Sequence, residues 1–146
     1  MEKTEAESLQ IRRLIAASPE KVFQAWTQPE HLMRWFAPSD EFTTQAEIDL
    51  REGGSYRVKM KAPDGTVHDL HGTYREVLPP RKLVYTWRWA TEPEHGETLV
   101  TVEFHEREGK TELVLTHQQF PGSKAREEHT KGWSGCLDRL SRYFPN

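Results

Sequence analysis

From Glu41 to His117 apolar and polar residues alternate with a period of two, broken by short turn signals, and nothing else in the chain restricts the fold as much. Successive side chains on a strand point to opposite faces, so each such run predicts a strand with one dry face. Phe42, Ala46, Ile48 and Leu50 alternate with polar residues, REGG turns the chain, and Tyr56, Val58 and Met60 alternate with Arg57, Lys59 and Lys61. That is a hairpin. APDG (Ala62 to Gly65) is a second turn. After it come the strand VHDLHGTYREV, the turn LPPRK, the strand LVYTWRW, the polar loop TEPEHGE, the strand TLVTVEF, the turn REGK and the strand TELVLTH. Hairpin links make the neighbours antiparallel.

The period changes at both ends of this block. LQIRRLI, Leu9 to Ile15, predicts a first strand on which Leu9, Ile11 and Ile15 share a face while Arg13 breaks the pattern. Ser18, Pro19 and Glu20 then form a helix start: a hydroxyl cap, a proline at the first helical position and an acid in the first turn. Val22, Phe23, Ala25 and Trp26 give that helix an apolar side. Pro29 stops it and opens a second short helix, with Leu32, Trp35 and Phe36 at i, i+3 and i+4 before Pro38. Past PGS (Pro121 to Ser123), His129, Trp133, Cys136, Leu137, Leu140 and Phe144 follow the stripe of a long amphipathic helix. The order is strand, two short helices, six strands, long helix. A seven-stranded antiparallel sheet with one dry face must be covered, and the C-terminal helix is the only sizeable apolar cover. The expected class is α+β, a curved sheet wrapped on one long helix with space between them, the two short helices closing one end.

The 146 residues fit one domain spanning 1–146, with 1–7 as a flexible tail. A net charge of -3 and a pI near 6.2 argue against a nucleic-acid partner. The polar start and the absence of a long apolar run argue against a signal peptide and membrane insertion, so a cytoplasmic location is expected. A lone cysteine, Cys136, leaves no internal disulfide and no Cys-rich metal site. Either a monomer or a homodimer is compatible with the sequence.

Strand parity groups the residues expected to face the helix. Leu83, Tyr85, Trp87 and Trp89 share one strand face, Leu113, Leu115 and His117 another, and Tyr56, Val58 and Met60 a third. Trp133 and Leu137 join them from the long helix, and Trp35 and Phe36 from the second short one. A filled core is one reading. The polar tips of Tyr56, Tyr74, Tyr85, His117 and the indoles favour a ligand pocket, because each sealed tip needs a partner and a core is built as well from Leu or Phe. On that reading Trp26 packs its helix onto the fold, Trp35 and Phe36 roof the pocket, and His129 faces into it. No nucleophile constellation is evident, and a catalytic reading rests on His117 as acid/base with Arg88 or Tyr74 orienting a substrate. His68 and His71 stand three apart on a predicted strand, on opposite faces, so no metal site is expected there; no cofactor is expected either.

The runs ASPEKVFQAWTQPEHLMRWFAP, REGGSYRVKM, GTYREVLPPRKLVYTWRW, TLVTVEF, TELVLTHQQF and KGWSGCLDRLSRYF resemble the START-like (SRPBCC) superfamily. Within it they resemble the branch named after the C-terminal domain of the activator of the heat-shock-protein-90 ATPase, in order from about Leu9 to Phe144. The resemblance implies a helix-grip fold with a cavity between sheet and C-terminal helix. Its members include lipid carriers, hormone receptors and polyketide cyclases. Three functions follow as expectations: binding of a small hydrophobic, aromatic or lipid-like molecule; a chaperone-binding module, carried by the branch name; and a cyclase or hydrolase-like enzyme.

Overall fold

The computed structural model describes residues 8–90 and 96–144; the expected tail at 1–7 and most of the TEPEHGE loop lie outside them. The elements are β1 (Leu9–Ile15), α1 (Pro19–Thr27), α2 (Pro29–Trp35), β2 (Thr43–Ile48), β3 (Ser55–Lys61), β4 (Val67–Leu78), β5 (Lys82–Trp89), β6 (Thr98–Arg107), β7 (Lys110–Gln118) and α3 (Ser123–Tyr143). The strands form one antiparallel sheet in the order β1-β7-β6-β5-β4-β3-β2. Its first strand closes on its last, and every other link is a hairpin except the crossing from β1 through α1 and α2 to the far edge at β2. This is the expected seven-stranded sheet held on a long C-terminal helix.

Local chemistry places the two short helices. The Ser18 hydroxyl accepts from the Lys21 backbone N–H at 3.4 Å, and Pro19 fills the first helical position, where a missing N–H leaves nothing unsatisfied. Pro29 repeats that device for α2. Arg13, the interruption in the first strand, has the parity of Ile11 and Ile15, and its guanidinium reaches Asp138 of α3 at 3.1 Å. The break in apolar pattern is therefore where β1 meets the charged side of the helix. Leu50 departs from expectation: it lies past the end of β2 and is exposed, because the strand closes at Ile48 before the REGG turn.

The ladder is irregular between β4 and β5. Their register shifts between Tyr74 and Glu76. At Gly72 the β5 backbone comes so close that a Cβ would collide with the Thr86 carbonyl. That carbonyl accepts the Tyr56 hydroxyl at 2.6 Å, and the Thr86 hydroxyl accepts the Thr73 N–H at 2.8 Å, so side chains complete the bonding where the ladder breaks. On the concave face, α1 and α3 meet through their tryptophans. Trp26 stacks on Trp133 with ring centroids 6.0 Å apart and tilts against Trp35 at 4.8 Å. Buried aromatics of this kind each remove about 150–250 Å² from water, worth roughly 4–6 kcal/mol at 25 cal/mol/Å².

Candidate ligand cavity

One end of this interior is not filled. A cavity of about 320 Å³ lies between α3, the β3–β5 part of the sheet and the segment that follows α2. Phe36, Phe42, Met60, Trp87, Trp89 and Trp133 make its apolar walls, and Pro38, His68, Glu128, His129, Gly132 and Cys136 complete it. Its size is at the low end of small-molecule sites, and its lining is dominated by aromatic carbon.

Of the residues predicted to meet a ligand, Phe36, Met60, Trp87, Trp89, His129 and Trp133 are brought together here. The others are not. Trp35 is fully buried, with its indole N–H donating to the Ala25 carbonyl at 2.9 Å; it is bonded back onto α1 and roofs nothing. Phe36, one residue on, turns the other way into the cavity. Tyr56, Val58, Tyr74 and Tyr85 border a separate void of only about 20 Å³, room for about one water and no ligand. Leu113, Leu115 and Leu137 are sealed in the core beneath the helices.

The polar tips expected to greet a ligand mostly bond to one another. The Trp26 N–H donates to the Tyr85 hydroxyl at 3.2 Å, and the Trp133 N–H donates to His117 Nδ1 at 3.0 Å. An indole N–H can only donate, so Nδ1 is the bare nitrogen and Nε2–H donates to the Thr98 hydroxyl at 2.7 Å. That hydroxyl in turn donates to the Trp87 carbonyl at 3.2 Å. His117 is thus a fully enclosed neutral imidazole with both nitrogens engaged, and burial, with His129 nearby, holds its pKa well below the ordinary value. Arg88 lies on β5 between the inward Trp87 and Trp89, hence on the opposite face of the sheet, and Tyr74 packs against Tyr56 and Tyr85. The three residues of the catalytic reading do not converge.

Within the cavity the same logic fixes His129. The Trp89 N–H donates to its Nε2 at 2.9 Å, so Nδ1 carries the proton and donates to the Ala125 carbonyl at 2.7 Å. Both ring nitrogens of His129 are thus bonded at the wall. The Trp87 N–H is buried and has no hydrogen-bond partner among the described residues. Cys136 is a buried wall residue whose thiol is pushed up to about 12 by its surroundings, so it stays protonated. Among the described residues no three His, Cys, Asp or Glu side chains group to hold a metal ion, and no helix is long and apolar enough to cross a membrane.

Several lining residues escaped the sequence reading although a signal for them existed. His68 shares parity with the inward Leu70 and pairs with Met60. Glu128, Gly132 and Cys136 stand at i, i+4 and i+8, a row beside that of His129 and Trp133. Phe42 precedes β2 but keeps its inward parity.

Residues 16–145 match the family described as Activator of Hsp90 ATPase homolog 1-like protein. The chain belongs to that family. The activator of 90 kDa heat shock protein ATPase homolog 1 of Homo sapiens is 26% identical over 124 residues, which make up 84% of this chain and 32% of the human protein. The chain therefore spans about a third of the curated relatives it matches. Among solved structures, protein CV1439 from Chromobacterium violaceum superposes with a TM-score of 0.87 at 26% identity, covering 96% of this chain and 99% of that one. The AHSA1-like protein from Aeromonas hydrophila is 28% identical with a TM-score of 0.76, covering 93% and 90%. Together they show the helix-grip architecture to be that of the family.

Proposed function

We propose that this chain binds a small, mostly apolar molecule in the cavity between the sheet and α3, as a carrier or sensor rather than as a catalyst. The observation that carries the reading is a 320 Å³ void walled by three tryptophans and two phenylalanines. Apolar surface left open in this way stabilises a bound molecule by roughly 25 cal/mol for each Å² covered. The buried Trp87 N–H, which has no partner among the described residues, adds a reason, since a buried donor without an acceptor costs about 1–3 kcal/mol. The compartment we assign is the cytoplasm.

The test uses Gly132. A Cβ built there meets nothing within 4 Å, so Gly132→Phe projects a ring into the void without displacing the wall. The neutral apolar dye N-phenyl-1-naphthylamine should brighten with the native chain and stay dim with the variant. Equal brightening in both would remove the cavity as the binding site.

A second reading rests on the human relative, whose name describes an activator of the 90 kDa heat-shock-protein ATPase and whose similarity covers 84% of this chain. On it, the chain docks on the host's own heat-shock protein of that class. Co-purification of the two proteins, and a raised ATPase rate on mixing them, are its expected outcomes; no complex and no change in rate would dismiss it.

A further inference from the structure

The chain has five tryptophans, and four of their indole N–H groups find an acceptor inside the fold. Trp26 donates to the Tyr85 hydroxyl, Trp35 to the Ala25 carbonyl, Trp89 to His129 and Trp133 to His117. The fifth, Trp87, stands on the cavity wall; it is 5% exposed, and its Nε1 has no acceptor among the described residues. The rings around it supply none. The centroid of His117 lies 4.9 Å from that of Trp87 and the centroid of His129 6.0 Å, but the bare nitrogen of the first is taken by Trp133 and that of the second by Trp89. Phe36, Trp89 and Trp133, also packed against it, carry no side-chain acceptor, because an indole nitrogen only donates. A buried donor is rarely left in this state, and where every comparable group is paired it marks a partner the chain does not itself carry. The other polar side chains on the wall make no such demand, since Glu128 is exposed and His68 only half-buried.

We infer that the ligand of this cavity carries a hydrogen-bond acceptor, a ring nitrogen or an ether or carbonyl oxygen, on the edge that lies against Trp87, and that the Trp87 Nε1–H donates to it. The inference rests on the cavity being a binding site, and it narrows the ligand from any apolar molecule to one with a lone pair at a fixed place. A hydrocarbon of the same outline covers the same walls but leaves the N–H unpaired, so the hydrogen bond discriminates for the heteroatom.

The experiment compares quinoline with naphthalene, two bicyclic arenes of the same outline that differ by one ring nitrogen, at neutral pH, where quinoline is uncharged. The readout is the Trp87 indole N–H resonance of the full chain, assigned through its bonds to the ring. Quinoline should move it downfield, as a newly made hydrogen bond does, and naphthalene should not. Trp87→Phe keeps a ring on the wall and removes the donor, so the ratio of quinoline to naphthalene affinity should fall roughly tenfold in that variant. If the variant does not fold, the resonance of the native chain decides alone. If both compounds move the Trp87 N–H alike, or if the affinity ratio is the same in native chain and variant, the inference is overturned while the cavity reading stands. If neither compound moves the resonances of Trp87, Trp89 and Trp133, the cavity reading fails with it.

Discussion

Two glycines one turn apart on α3 should respond to the same substitution with opposite signs. Both stand mid-helix, where glycine costs about 0.5–1 kcal/mol relative to alanine. At Gly132 the added Cβ meets open space, so Gly132→Ala should stabilise by about that amount and raise Tm by roughly 2–3 °C. At Gly135 the Cβ falls 3.1 Å from both the Cα and the carbonyl carbon of Pro38, and closer still to its oxygen. That neighbour is backbone and cannot swing aside. An overpacking cost of about 1–3 kcal/mol outweighs the helix gain, leaving Gly135→Ala less stable by about 1–2 kcal/mol and lower in Tm by roughly 3–6 °C. The contact also shapes the cavity, because α3 presses here on the segment of Phe36 and Pro38 that walls it. Thermal melts of both variants, followed by far-ultraviolet circular dichroism, decide the matter. Shifts of the same sign would refute the claim that α3 meets the post-α2 segment through Gly135 and leaves Gly132 facing a void.

Two further perturbations probe the enclosed polar network. Tyr85→Phe removes the acceptor of the buried Trp26 N–H and should cost about 1–3 kcal/mol by urea denaturation; a loss below a few tenths would mean that bond is not made. His117 has a folded pKa depressed by burial, so above the unfolded value near 6.5 both states are neutral and its contribution does not vary with pH. Below it the unfolded chain takes a proton that the folded chain refuses. Stability should therefore fall as pH drops below about 6.5, with a limiting slope of roughly 1.4 kcal/mol per pH unit for one proton. Denaturation series across that range should show His117→Gln with a slope shallower by about one proton, and an unchanged slope would place His117 in contact with solvent.

The fold was legible because each element carries its own local chemistry. Ser18-Pro19 caps α1, Pro29 restarts the helix, and REGG, APDG and REGK turn strands whose parity holds between them except at the shift between Tyr74 and Glu76. The site was legible only by face. Parity puts Tyr56, Met60, Tyr85 and Trp89 on the concave side, but it does not say how far along the sheet a helix reaches. At the Tyr56 and Tyr85 end, Trp26 from α1 fills the space; at the Met60 and Trp89 end, α3 stands off and leaves the void. The polar tips misled for a related reason. Trp26 and Tyr85 are 59 residues apart, and Trp133 finds His117 from a different element, so their mutual satisfaction is a property of the packed tertiary structure. Trp35 and Phe36 differ by one residue, and only the Ala25 carbonyl, brought beside Trp35 by the angle between α1 and α2, decides which of the two looks inward.

Native mass spectrometry of the chain purified gently from its own host, beside the Gly132→Phe variant, tests the central claim most directly. A bound small molecule should add a defined mass to the native chain, leave on denaturation, and be missing from the variant. A bare mass for both proteins, or the same added mass on the variant whose cavity is filled, would contradict it.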